Sequence, residues 1–169
     1  MRKWRFTAAQ SCRRATRGGV QTRGGVPMSS TSIRPSTAAG SKVRLVNPPG
    51  TESIYESFKF SQAVVAGGRV DVSGQVGVTP ELSIPDDITD QAEQAFANLR
   101  NVLEAAGSSL ANVTQLTMYY TDIGDSQAVD KIFTKFFPER YPARTAVQVV
   151  SLVLPQLKLE IQASAVLDD

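Results

Sequence analysis

The stretch Tyr141–Gln162, YPARTAVQVVSLVLPQLKLEIQ, decides the fold of this chain and carries its two most informative charges. Pro142 biases the residue before it towards extended geometry, and Thr145–Leu154 is rich in valine and other strand formers. Arg144 is therefore predicted at the point where a loop becomes a strand. Glu160 lies in a second predicted strand, among Leu, Ile and Ala.

The second strand alternates between apolar and polar residues. By the period-two rule, one face carries Leu157, Leu159, Ile161, Ala163 and Ala165, and the other carries Lys158, Glu160, Gln162 and Ser164. Glu160 is thus predicted to point away from the apolar face. Arg144 and Glu160 are either solvated surface charges or functional residues. Both interpretations stay open, because exposed charges are common and only a minority of charges belong to functional sites.

Three stretches upstream are predicted as strands: Val43–Val46, Ser57–Ala66 and Val70–Val78. The pair Gly67-Gly68 separates the last two, and glycine pairs favour a tight hairpin. The third stretch is predicted to place four residues on one face: Val70, Val72, Val76 and Val78. Gly74 interrupts it, which indicates a bulge, a close approach of a ligand to the backbone, or a simple twist point.

Two segments have helical periodicity. The first has apolar residues at three- and four-residue steps and ends at Gly107: Ile88, Ala92, Ala95, Phe96, Leu99, Val102, Leu103 and Ala106. The second, capped by Asp125 or Ser126 and ended by Pro138, has the apolar positions Val129, Ile132, Phe133, Phe136 and Phe137. With a strand at Val113–Thr121, the order β-β-β-α-β-α-β-β predicts an α+β sheet with both helices on one face.

The stretch Ala146–Leu154 is apolar on both sides of its predicted strand. Val147 and Val149 lie on one side, and Val150 and Leu152 on the other. Two helices cover only one face of a sheet, so an apolar face is left without cover. The sequence therefore predicts a partner for that face.

Residues 1–41 form a basic segment without Asp or Glu, and residues 42–169 are predicted to form the folded domain. The segment is rich in Arg, Ser and Thr and repeats TRGGV at Thr16–Val20 and Thr22–Val26, which is typical of a mitochondrial transit peptide. Three alternatives stay open. The segment is a disordered tail, translation starts at Met28 and the protein is cytoplasmic, or the Arg-Gly-Gly steps make weak contacts with RNA. Beyond residue 51, eight basic residues face sixteen acidic ones, which disfavours a nucleic-acid partner.

The residues that are absent exclude several kinds of chemistry. The sequence contains no histidine, which excludes triads and general bases built on histidine and the usual zinc sites. Cys12 is the only cysteine, so no intrachain disulfide forms and a reducing compartment is expected. No apolar run reaches about 18 residues, so no membrane partner is expected.

Five stretches resemble the Rid family, the reactive-intermediate deaminases, also called YjgF-like proteins or L-PSP endoribonucleases. They are FSQAV at Phe60–Val64, SGQ at Ser73–Gln75, NLRNVLEAAGSSL at Asn98–Leu110, FFPERYPART at Phe136–Thr145 and LEIQASAV at Leu159–Val166. The resemblance covers about residues 42–167, in the same order and with similar spacings.

The resemblance implies a chorismate-mutase-like α+β fold, assembled as a homotrimer with pockets between subunits. It implies that Arg144 grips the carboxylate of a 2-imino acid, and that Glu160 places or activates the water that attacks the imine carbon. Neither a cofactor nor a metal is expected. The residues that it places along the substrate pocket are Phe60, Ser73, Gly74, Asp130 and Ala146.

Three pocket positions depart from the family pattern. Where the archetype has Tyr, Asn and Cys, this chain has Phe60, Asp130 and Ala146. The first reading is a deaminase of small imines. There are three alternatives: a diverged enzyme or binder for a larger imine or carbonyl intermediate, an endoribonuclease, and a chaperone-like interaction protein.

Overall fold

The computed structural model describes residues 42–168, so the predictions for residues 1–41 lie outside the described part of the chain. The strands are β1 Val43–Val46, β2 Ala63–Ala66, β3 Arg69–Val76, β4 Val113–Tyr120, β5 Ala143–Gln148 and β6 Leu159–Val166. The α-helices are α1 Glu52–Phe58, α2 Ile88–Ala106 and α3 Ser126–Phe136. Short 3₁₀ turns at Leu110–Asn112 and Ile123–Asp125 flank β4.

The six strands form one sheet in the order β1-β2-β3-β6-β4-β5. Every pairing is antiparallel except that of β4 with β5, which is parallel. Helices α2 and α3 pack on one face, as the predicted α+β class requires. No helix within residues 42–168 has the length and apolar character needed to cross a membrane.

The core lies between the sheet and these helices, and the predicted periods of α2 and β6 are confirmed. All the predicted inward positions of α2 except Ile88 are buried, and Ile88 packs against the core from a partly buried position. Asp87 caps the helix by accepting a hydrogen bond from the backbone N–H of Thr89 at 2.7 Å, and Gly107 ends it with φ +80°. The alternation of β6 is also confirmed, with its inward residues 0–3% exposed.

The strand predicted over Ser57–Ala66 is wrong in its first half. Helix α1 occupies Glu52–Phe58, and β2 begins only at Ala63. The Pro48-Pro49-Gly50 turn precedes α1, where the hydroxyl of Thr51 donates to the carbonyl of Pro48 at 2.7 Å. Lys59 ends the helix with φ 60°, a left-handed conformation that redirects the chain.

The prediction that four valines share one face of β3 is also wrong. Val70 and Val72 are buried, but the register with β6 shifts between Val72 and Gln75. After this bulge Gln75 takes the buried position, and Val76 lies beside Glu160 on the open face. An extra residue in a strand reverses the alternation of inward and outward side chains beyond it. Of the three interpretations of Gly74, the structure therefore supports the bulge.

The long apolar strand predicted to reach Leu154 ends at Gln148 instead. Its partner β4 ends at Tyr120, which is paired with Gln148, so no further ladder is available. A last hydrogen bond joins the N–H of Val149 to the carbonyl of Tyr120 at 2.8 Å. The apolar residues beyond it lie in a loop, and Val150 is fully exposed.

Candidate active site

Arg144 lies on β5, on the side of the sheet that the helices cover, because it is in register with the fully buried Leu116. Its Nη1 donates a hydrogen bond to Oδ1 of Asp130 on α3 at 2.7 Å. Its guanidinium carbon lies 4.7 Å from the centroid of the Phe133 ring. The ion pair and the ring together fix the plane of the guanidinium.

The Arg144 side chain is still able to receive a ligand. It is 33% exposed, and the Asp130 side chain is 47% exposed. Within residues 42–168 the guanidinium makes no hydrogen bond other than the one to Asp130, so its other N–H groups remain available to a carboxylate. Ala146 lies two residues further along the same face, and we call Asp130, Phe133, Arg144 and Ala146 the arginine cluster.

Glu160 lies on the opposite face, where it is in register with Tyr119 and Val76. Its carboxylate folds over Gly74 so closely that a β-carbon on Gly74 would lie 1.8 Å from Oε1. Burial raises the pKa of the Glu160 carboxyl, and the carboxylate makes no hydrogen bond or ion pair with any residue from 42 to 168. We call Ser73, Gly74 and Glu160 the glutamate cluster.

A polar network that the sequence interpretation missed holds the bulge at Gly74. The N–H of Ser73 donates to the carbonyl of Gln62 at 2.9 Å, and its hydroxyl donates to the carbonyl of Ser61 at 2.7 Å. Nε2 of Gln75 donates to Oε1 of Gln62 at 3.0 Å. Both glutamines are buried, Gln62 immediately before β2 and Gln75 within β3. Their place in apolar stretches was the signal that a fixed polar feature lies there.

The remaining predicted residue, Phe60, precedes this network in the segment between α1 and β2. Its side chain is 36% exposed, and the next residue, Ser61, is the one that binds the Ser73 hydroxyl. Phe60 therefore adjoins in sequence the network that holds the bulge at Gly74.

For two further residues at the arginine cluster, the sequence predicts only a core or strand position. Phe133 was predicted as an apolar helix position, and its ring supports the guanidinium. Tyr120 is buried, and burial together with the nearby Asp130 carboxylate raises its pKa to about 12. Periodicity predicts that such residues are buried, but it does not reveal which charge lies beside them.

One chain does not bring the seven predicted residues together. Arg144 and Glu160 lie on opposite faces, so the arginine cluster and the glutamate cluster are separated by the sheet. Two surface depressions of about 270 and 500 Å³ are lined by other residues. Within residues 42–168, no group of three Cys, Asp or Glu side chains is placed to hold a metal ion.

Comparison with known proteins gives consistent matches. The profile of the family described as Endoribonuclease L-PSP matches residues 51–167. The chain is 38% identical over 109 residues to the rat 2-iminobutanoate/2-iminopropanoate deaminase, covering 63% of this chain and 79% of the rat protein. It is 36% identical over 110 residues to the chloroplastic Reactive Intermediate Deaminase A of Arabidopsis thaliana, covering 64% of this chain and 58% of the relative.

A solved structure agrees with these sequence matches. The crystal structure of Escherichia coli TdcF with bound serine superposes with a TM-score of 0.62 at 35% identity, covering 64% of this chain and 88% of that one. The family profile spans more than half of the chain, over the same residues that build both clusters. The chain therefore belongs to the Rid family of YjgF-like, L-PSP endoribonuclease proteins.

Proposed function

We propose that this protein is a hydrolytic deaminase of reactive enamine and imine intermediates. In the proposed reaction, water adds to the C=NH₂⁺ carbon of a 2-iminium carboxylate, the C–N bond breaks, and a 2-oxo acid and an ammonium ion leave. Charge and atoms balance without a cofactor. The rat relative is named for this class of substrate, and a related structure holds serine, a small amino acid with the same carboxylate.

The observation that carries this proposal is the fixed and partly exposed guanidinium of Arg144. A guanidinium binds a carboxylate through two parallel hydrogen bonds and so orients a very small substrate. The Phe133 ring and the bond to Asp130 fix the guanidinium before a ligand arrives. The conformational entropy that the Arg144 side chain loses on binding a ligand is therefore small.

Glu160 supports the second half of the reaction. A carboxylate that is partly buried and has no internal partner is a stronger base than a solvated one, because burial favours its protonated form. Such a group holds the attacking water and takes a proton from it as the C–O bond forms. Burial raises the pKa of Glu160, which is the change that a stronger base requires.

The proposed site requires two copies of the chain. Because the two clusters lie on opposite faces of one sheet, we place the arginine cluster of one copy against the glutamate cluster of another, in a homotrimer with pockets between subunits. Strand β5 carries Arg144 at an edge of the sheet, and all six of its residues are exposed in the single chain. An edge strand with unpaired backbone groups favours such an interface.

We also propose that residues 1–41 direct the protein to an organelle, the mitochondrion being the first choice. The acid-free, arginine-rich composition supports this, and one relative is named as chloroplastic. A fluorescent fusion of residues 1–45 is expected to colocalise with a mitochondrial marker, and a diffuse cytosolic signal would remove the proposal.

The function is tested by coupling a pyridoxal-phosphate dehydratase to this protein and following 2-oxo acid release from serine, threonine and their analogues. Release should accelerate with the wild type. In Arg144→Lys the planar fork is lost, so kcat/KM is expected to fall roughly ten- to a hundredfold, the effect of about 1.5–3 kcal/mol for a charged hydrogen bond.

The matched control is Arg140→Lys, which makes the same change at an exposed arginine four residues away. Its activity should equal that of the wild type. Full activity of Arg144→Lys on every imine tested would end the deaminase proposal.

A further inference from the structure

The Asp130 carboxylate places a negative charge in the proposed carboxylate-binding site. Binding a carboxylate requires only the positive charge of Arg144. Oδ1 accepts a hydrogen bond from Nη1 of Arg144 at 2.7 Å, in an ion pair that uses one end of the guanidinium. The cation and the anion of this pair cancel. A ligand therefore meets a site whose local charge is close to zero rather than +1.

The geometry leaves room for both carboxylates on one guanidinium. Asp130 uses Nη1, and no residue from 42 to 168 occupies the other N–H groups, so a ligand carboxylate can bind them in a bidentate manner. The ligand then lies beside Asp130, which is about half exposed. A positive group on the carbon next to the ligand carboxylate is attracted to Asp130, and a ligand without that group is repelled.

We propose that Asp130 is a specificity-determining residue that selects carboxylates carrying a cation on the neighbouring carbon, such as 2-iminium and 2-ammonium acids, over plain carboxylates. The inference rests on the proposed function, because it takes Arg144 as the carboxylate-binding group. Its consequence concerns turnover. The substrate enters as a zwitterion and the 2-oxo acid leaves as an anion, so the same carboxylate that admits the substrate speeds the release of the product.

The test compares two non-reacting probes of nearly equal size, 2-aminobutanoate and 2-oxobutanoate, by titration calorimetry on the full chain. The wild type should bind the zwitterion more tightly. Asp130→Asn keeps the shape and removes the charge, and it should shift the ratio of the two Kd values towards 2-oxobutanoate by about tenfold, the effect of one charge a few ångströms away in a partly exposed site. Asp130→Ser serves in the same way if thermal melting shows that the first variant is misfolded.

The matched control is Glu93→Gln, which also removes one carboxylate from a surface ion pair, the one with Lys135 on the same helix as Asp130. It should leave the ratio unchanged. If Asp130 acts only on stability, both Kd values should change by the same factor, and the proposal is wrong. A wild type that binds neither probe, or prefers 2-oxobutanoate, overturns it as well.

This experiment separates the inference from the proposed function. A wild type with the expected ratio but no imine turnover contradicts the deaminase and keeps the selection by Asp130. A wild type that hydrolyses imines with a ratio insensitive to Asp130→Asn contradicts the inference alone.

Discussion

At the scale of single residues, the environment of Glu160 is expected to favour its proposed chemistry and to oppose the stability of the fold. Burial raises its pKa, which makes the ionised carboxylate a better base and also makes it more costly to keep in the folded protein. The effect on activity and the effect on stability depend differently on pH. Each gives a separate prediction for the isosteric substitution Glu160→Gln.

The first prediction concerns turnover. Activity of the wild type should fall as the pH drops through the raised pKa of Glu160, because only the ionised form takes a proton from water. Glu160→Gln should lower kcat by about 10²–10⁴-fold with little change in KM, and the remaining activity should lack that acid limb. The measurement is a kcat profile between pH 4.5 and 8. An unchanged limb in the variant would assign the titration to another group.

The second prediction concerns unfolding. A carboxyl whose pKa is raised on folding binds more protons when folded, so its contribution to stability is present below the unfolded pKa and is lost as the pH rises through the folded pKa. Glu160→Gln has no such loss. Its free energy of unfolding in urea should therefore exceed that of the wild type at pH 7, and the difference should shrink towards pH 4. A variant less stable than the wild type at pH 7 would contradict this.

At the scale of elements, two glycines of the same strand region make opposite demands. A β-carbon on Gly74 would meet the flexible end of the Glu160 side chain, whereas one on Gly77 would lie 2.6 Å from backbone atoms of Gln91 on α2. Gly74→Ala should therefore displace the carboxylate and abolish most activity, with a stability loss below about 1 kcal/mol. Gly77→Ala should cost about 1–3 kcal/mol, since backbone cannot rotate away. Urea titrations and initial rates measure both, and a Gly74→Ala enzyme with normal kcat would show that Glu160 needs no fixed position.

Elements with a strong period of their own were predictable from the sequence, and those defined by a partner were not. Helix α2 and strand β6 carry complete apolar patterns, so periodicity alone places their buried faces. The length of β5 depends on where β4 ends at Tyr120. The bulge at Gly74 reverses the outward side of β3 through hydrogen bonds to Gln62, and neither fact is written in the local pattern.

The candidate site was predictable as a list of residues and not as an arrangement. The family resemblance selects Arg144 and Glu160, and the alternation of β6 gives the direction of Glu160. The register of β5 on β4 pairs Arg144 with the buried Leu116 and so places it on the helix-covered face, and no local sequence feature encodes that register.

At the scale of the whole molecule, the proposed site shared between copies predicts complementation. Arg144→Lys should keep at most about a tenth of the wild-type kcat/KM and Glu160→Gln at most about a hundredth of the wild-type kcat, but trimers formed from an equal mixture by dilution from urea should contain intact sites. Random assembly should return about a quarter of the wild-type activity, because an intact site needs one unaltered residue from each of two copies. Each variant refolded alone is the control.

Light scattering on the same samples should give three times the mass of one chain. Mixed trimers without recovered activity would contradict a site that combines Arg144 and Glu160 from different copies, and a stable monomer at micromolar concentration would do the same.

Strand β6 is the last strand in chain order within the described residues, and it lies in the middle of the sheet between β3 and β4. Until residues 159–166 leave the ribosome, the earlier strands form two separate groups, β1-β2-β3 and β4-β5, each with an open inner edge. The nascent chain thus cannot complete its sheet before residues 159–166 have emerged, and until then the unpaired edges of β3 and β4 are exposed to chaperones and to aggregation.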